Sequence, residues 1–292
     1  MSVAATPLET RTRTRARALR RPRLSAATWL GIVLALGCVA IGLLGPYFAP
    51  HDPAEFVGLP LTAPSAEFPL GLDYLGRDAL SRFLSGGRTA ILLAVLGFAV
   101  GASLGLTLGL VAAYSRGAVD RIVDRTTEVL VGFPSLVLML LIVAGLGSEL
   151  WVIVVALAAV HLPRVARIVR AAALEVRHLP YVEVAEARGE RRSHIMFREL
   201  WPGVRPAFLV DAGMRIPASI LLVASLSFLG LGIQPPASDW GLIISENRAG
   251  LTTQPWAVAA PVAALALLMI GVNLTIDGLQ RERPLRARRS VD

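Results

Sequence analysis

The stretch YVEVAEARGERRSHIMFRELWPGV, residues 181–204, decides how this chain is read. It carries eight charged residues, yet the sequence on either side is apolar. Pro180 suits a first helical position, where a missing N–H costs nothing. Residues 181–188 then make about two turns of good helix formers. Gly189 suits the position just past a helix end, which often needs positive φ. A second helix is expected from Ser193 to Trp201, stopping before Pro202. The result is a helix–glycine–helix hairpin. Ile195, Met196, Leu200 and Trp201 give its second arm an apolar edge. Two homes suit that edge: a groove in a soluble partner or the membrane surface.

The rest of the chain says what the hairpin is inserted into. Of 292 residues, 54% are hydrophobic and 17% charged, a membrane composition. Six apolar spans are expected, over residues 26–45, 89–113, 129–145, 150–163, 207–230 and 255–276. Pro134 breaks the third near its start. The fourth is the weakest, with about 14 apolar residues, or ~21 Å against a ~30 Å hydrocarbon core. Arg164, Arg167 and Arg170 follow it at helical spacing and would reach the headgroups.

Arginine placement tests this topology. With the N-terminus inside, the inner segments hold 24 Arg: seven in 1–25, three in 114–128, nine in 164–206 and five in 277–292. The outer segments hold four, three in 46–88 and one in 231–254. That bias satisfies the positive-inside rule and retains the fourth span. It makes the hairpin cytoplasmic, along with both termini. The seven-Arg stretch 1–25 reads as a solvated tail that sets orientation, not as a nucleic-acid arm.

Several chemistries are excluded. All 29 basic residues are Arg. Without lysine there is no P-loop, so any ATP hydrolysis belongs to another chain. One cysteine, Cys38, allows no internal disulfide or metal cluster, and the four His show no ligand spacing. No nucleophile–base pair is evident, so no catalytic residue is assigned. Ionisable residues are scarce at mid-span, which counts against an ion-coupled carrier. Asp211 and Arg215, four apart, share a helix face and suit either function or interfacial anchoring. Gly97, Gly101, Gly105 and Gly109 put four small residues on one face, for packing within the bundle or against a second subunit.

At residues 181–204 a resemblance becomes specific. The stretch resembles the cytoplasmic coupling loop of ABC importer permeases, whose pattern runs Glu-Ala-Ala, Gly, Ile-x-Leu-Pro. Glu183, Ala185, Gly189 and Pro202 match it; Val184, Leu200 and Trp201 stand at positions the pattern fills differently. Four further segments resemble the dipeptide/oligopeptide/nickel branch, C-subunit type: LGLDYLGRDALSRFLSGGR (70–88), VDRIVDRTTEVLVGFPSLVLML (119–140), HLPRVARIVR (161–170) and SLSFLGLGIQPPASDWG (225–241).

The resemblance implies an all-α integral membrane protein of six transmembrane helices with the type I ABC importer permease fold. Its expected parts are a basic tail (1–25), a first transmembrane helix (26–45), an extracytoplasmic loop (46–87), a permease core (88–280) with its coupling loop (175–206), and a second basic tail (281–292). It implies half of a translocation pathway for peptides or a related small solute, nickel chelates and glutathione included, in a bacterial cytoplasmic membrane. The implied partners are a homologous permease, two ABC ATPases that use ATP and Mg, and an extracytoplasmic solute-binding protein. No cofactor or metal is implied on this chain. Glu183, Ala185, Gly189, Ile195, Leu200 and Pro202 would form the coupling element. No substrate ligand is identified by the resemblance.

Overall fold

The computed structural model describes residues 25–115 and 117–287, with side chains to residue 279. Of the expected tails 1–25 and 281–292, the stretches 1–24 and 288–292 lie outside the described residues, while 281–287 continue the last helix. The described chain is helical, with long apolar helices packed side by side. Helix α1 (Ala26–Leu44) is capped by the Ser25 hydroxyl, which accepts from Thr28 N. Helix α2 (Ala79–Ser115) is 37 residues long, about 55 Å, and starts ten residues before the expected span. Asp78 accounts for the early start: its carboxylate accepts from Leu80 N and Ser81 N at 3.2 and 3.1 Å.

The third and fourth spans each differ from expectation. Helices α3 (Ala118–Gly132) and α4 (Ser135–Leu146) meet at a 91° bend. Phe133 is extended there (φ −77°, ψ 133°), as a residue before proline prefers. The expected span 129–145 is therefore split, and α4 alone has 12 residues, about 18 Å. The expected weak span 150–163 is instead the start of α5 (Leu150–Val176), 27 residues or about 40 Å, which carries Pro163 within it. Arg170 does not need the headgroups. It donates to Asp120 at 3.0 Å and Asp124 at 3.2 Å on α3. Among the described residues, five helices are long and apolar enough to cross a membrane, six if the bent pair counts as one span.

The glycine stripe of α2 packs inside the bundle. A Cβ on Gly97 would sit 2.5 Å from Leu157 Cβ; on Gly101, Gly105 and Gly109 it would sit 2.6–2.7 Å from the carbonyls of Ala158, Leu162 and Ala166. The contacts advance together along both chains, so α2 and α5 run parallel with their backbones touching. Around the seam lie Ala90, Ala94, Phe98 and Ala102 of α2 with Ile153, Leu157 and Val160 of α5, all buried. Gly105→Val should therefore separate the helices, at a cost of about 1–3 kcal/mol or more. Gly145→Val, where nothing lies within 4 Å, is the control. Melting of the two variants in detergent should differ accordingly.

Short α6 (Pro180–Ala187) and one-turn α7 (Arg192–His194) lead through a π-helical turn (Ile195–Leu200) into α8 (Trp201–Phe228). Helices α9 (Trp240–Asn247) and α10 (Trp256–Ala287) follow. At the end away from α6, the loop 49–78 is tied to α9 by buried charge. Asp73 accepts from Arg77 Nε (2.8 Å) and Arg82 Nη1 (2.7 Å). Glu246 of α9 accepts from the same two arginines at 3.2 and 2.7 Å, and from Tyr74 Oη at 3.1 Å.

Candidate functional site: the hairpin between α5 and α8

Helix α6 ends in a Schellman turn. Gly189 N–H donates to Glu186 O (3.0 Å) and Glu190 N–H to Ala185 O (3.2 Å). Gly189 has φ +73°, and no atom would lie within 4 Å of an added Cβ. Backbone conformation alone, not space, favours glycine there.

After Arg191 the chain turns back through α7 and the π-helical turn. Here the structure corrects the expected stop at Pro202: helix runs on from Ser193 through Pro202 into α8. The ladder slips by one residue, with Trp201 N–H reaching Met196 O, five positions back. Pro202 follows directly after this slip, where the ladder changes register from π to α.

The same π turn sorts the hairpin's faces. Residues five apart diverge on an α-helix but align on a π turn. Ile195 and Leu200 thus both point inward. With Val182, Ala185 and Val204 they are at most 1% exposed, in one cluster with Leu110 and Ala113 of α2 and Val165, Val169 and Ala173 of α5. The apolar edge expected on the second arm is therefore largely spent on the chain's own bundle. Of the six expected site residues, Ala185, Ile195 and Leu200 hold the hairpin in place, while Glu183, Gly189 and Pro202 lie on its surface. The outward apolar groups are others: Tyr181, Val184 and Phe197, at 44, 53 and 47% exposure. Tyr181 and Val184 are legible in hindsight. If Val182 and Ala185 face in, helical spacing sends 181 and 184 out. Phe197 is not legible without the π turn.

Glu190, His194 and Glu199 bring donor atoms within 4.8 Å of one another, which sequence spacing hid. Glu190 is already paired with Arg188 at 3.0 Å and His194 at 3.2 Å, so surface ion pairing accounts for the grouping.

Two polar features lie in the bundle. Asp211 and Arg215 pair with each other on α8, with the Asp211 side chain 8% exposed. His161, which sequence left unassigned, is buried on α5 with Nε2 2.7 Å from Ser219 Oγ on α8. Ser219 donates its own proton to Arg215 O, so the imidazole nitrogen is the donor in that pair. Phe98 packs edge-on against the ring at 5.4 Å. A histidine in an apolar run was the available signal.

A multi-helix membrane bundle with a polar helical hairpin docked across the ends of α2 and α5 defines the class: a membrane permease. The chain belongs to the family described as "Binding-protein-dependent transport system inner membrane component", which it matches over residues 105–282. It is a permease subunit of an ABC importer. It is 37% identical over 262 residues to the glutathione transport system permease protein GsiD of Pectobacterium atrosepticum, covering 89% of this chain and 86% of that one. It is 35% identical over 257 residues to the di/tripeptide transport system permease protein DppC of Pseudomonas aeruginosa, covering 86% and 85%. Its fold is similar to that of a chain of the MetNI methionine ABC transporter in an inward-facing conformation. The TM-score is 0.56 at 18% identity, covering 69% of this chain and 95% of that one.

Proposed function

We propose that this permease carries a small peptide into the cell, and that the hairpin 180–200 couples it to a separate ATPase. The solute reading rests on the relatives named for glutathione and di/tripeptides. In this reading a homologous permease completes the pathway, an external binding protein delivers the solute, and two ATPase subunits using ATP and Mg dock on the hairpin side. Both termini are cytoplasmic, following the arginine bias. The catalytic work lies with the ATPases; this chain converts their closure into movement of its helices.

The observation that carries the coupling reading is the hairpin's two-sidedness. One face is sealed into the bundle, and the other offers Tyr181, Val184 and Phe197 to solvent on an otherwise charged surface. Exposed apolar groups rimmed by charge mark a docking surface. A helix presented this way suits a groove in a soluble subunit. Glu183 and Gly189 shape this surface; Ala185, Ile195 and Leu200 make it rigid.

The test is co-purification from native membranes, with Val184→Asp and Phe197→Asp beside the wild type. The ATPase subunits should fall at least tenfold in both variants while the second permease stays. Undiminished ATPase recovery in both would refute the coupling role. Uptake of labelled glutathione, a dipeptide and a nickel chelate by the intact assembly then ranks the solutes.

A further inference from the structure

The hairpin is sealed to the bundle by apolar burial, which gives adhesion but little direction. A movement imposed on α6 needs something that fixes it to the long helices. One side chain is placed for this. Arg177 follows the last residue of α5, its own N–H bonded to Ala173 O at 2.9 Å. Its Nη1 donates to Ala113 O and Tyr114 O at the end of α2, at 2.7 and 2.6 Å. The guanidinium lies over the Tyr114 ring, 5.0 Å from its centroid. Its Nη2 is 3.6 Å from Glu186 on α6. The side chain is 12% exposed.

The chemistry suits the place. A helix ends with carbonyls that have no partner in the helix, and its C-terminus favours a cation. The planar fork of arginine answers two carbonyls on one nitrogen and a carboxylate on the other. Packing joins the hairpin to α2 only on the inner side, through Leu110 and Ala113. A cleft of about 300 Å³ lies between Tyr114 and Ser115 of α2 and Glu186, Glu190 and Arg192 of the hairpin. Across it, the arginine is the polar tie.

We propose that Arg177 is a positioning residue that makes α6, α5 and the end of α2 move as one body. This rests on the coupling reading, in which α6 is what the ATPases push. The hairpin's movement then reaches α2, and the seam it shares with α5, through the guanidinium.

The test uses the whole importer in lipid nanodiscs, with Cys38→Ala and spin labels at Ser103→Cys on α2 and Ser193→Cys on the hairpin. Distances are measured without nucleotide and with ATP–vanadate. With Arg177 present, the label separation should stay within about 1 Å between the two states. With Arg177→Ala it should shift or broaden by several ångströms, while the assembly still hydrolyses ATP. Wild-type distances in Arg177→Ala overturn the proposal. If the alanine variant fails to assemble, Arg177→Lys decides. It keeps the charge but cannot fork, so broadening supports the tie and wild-type distances refute it. ATPase loss in Val184→Asp together with unchanged distances in Arg177→Ala sinks this inference alone. Retained ATPases in Val184→Asp and Phe197→Asp sink the coupling reading beneath it.

Discussion

Gly189→Val should leave a protein that inserts, folds and melts close to the wild type yet takes up less than a tenth as much solute. The argument starts from φ +73° at Gly189. That region costs an ordinary L-residue about 1–2 kcal/mol, and a β-branched one is an outlier there. No neighbour would be struck, since nothing lies within 4 Å of the new Cβ. The cost is confined to the turn. The chain relieves it by leaving positive φ, which breaks the bonds from Gly189 N to Glu186 O and from Glu190 N to Ala185 O. Helix α6 then loses its end and its angle to α7, while Val182, Ile195 and Leu200 remain buried in the bundle. A graded series makes the test specific. Asn tolerates this backbone region and should keep most of the uptake, Ala should be intermediate, and Val the lowest. Equal uptake across the series would remove the turn from the mechanism.

That glycine was legible because its signal is local: a helix-forming run, a glycine, then charge. The long apolar helices were legible for the same reason, since hydropathy needs no knowledge of neighbours. So was the stripe from Gly97 to Gly109, although the sequence left its partner open; the carbonyls of Ala158, Leu162 and Ala166 supply it. What failed needed tertiary information. Pro202 read as a stop and the fourth span was ended at Pro163, where the arginines begin; both prolines lie within helix. Pro134, read as breaking the third span near its start, is the site of the 91° bend, whose size the sequence did not show. Three prolines with similar local signals had three outcomes. Pro163 is buried inside α5, and Pro202 follows a ladder slip in a continuous helix. Phe133 and Pro134 had neither support. The inward turn of Leu200 depends on the same slip, which composition does not encode. Arg170 reads as a headgroup anchor until Asp120 and Asp124, some fifty residues earlier, are placed beside it.

The second large effect is expected at the opposite end of the molecule, where Asp73→Asn should cost about 3–5 kcal/mol of stability. Asp73 and Arg82 are each 1% exposed, Arg77 5% and Glu246 9%, so the two cations and two anions have little water to fall back on. Asp73 also accepts from the backbone N–H of Leu75 and Arg77, at 2.8 and 2.9 Å. The asparagine keeps one oxygen for those bonds. In place of the other it sets an NH₂ against the Arg77 and Arg82 donors, and it leaves two guanidiniums facing Glu246 alone. The penalty is that of an uncompensated buried charge, so it should persist in high salt, where an exposed pair would be screened. Glu246→Gln should cost less, because that side chain is closer to the surface. Charge balance is the discriminating point. Asp73→Asn combined with Arg82→Gln restores neutrality and should lose less than the two single variants together, with a coupling of about 0.5–3 kcal/mol in melting of the purified protein. Strict additivity would mean that packing of the loop on α9, and not the ion cluster, holds that end closed. Arg77 of the loop and Arg82 of α2 would then tolerate substitution that a charge cluster forbids.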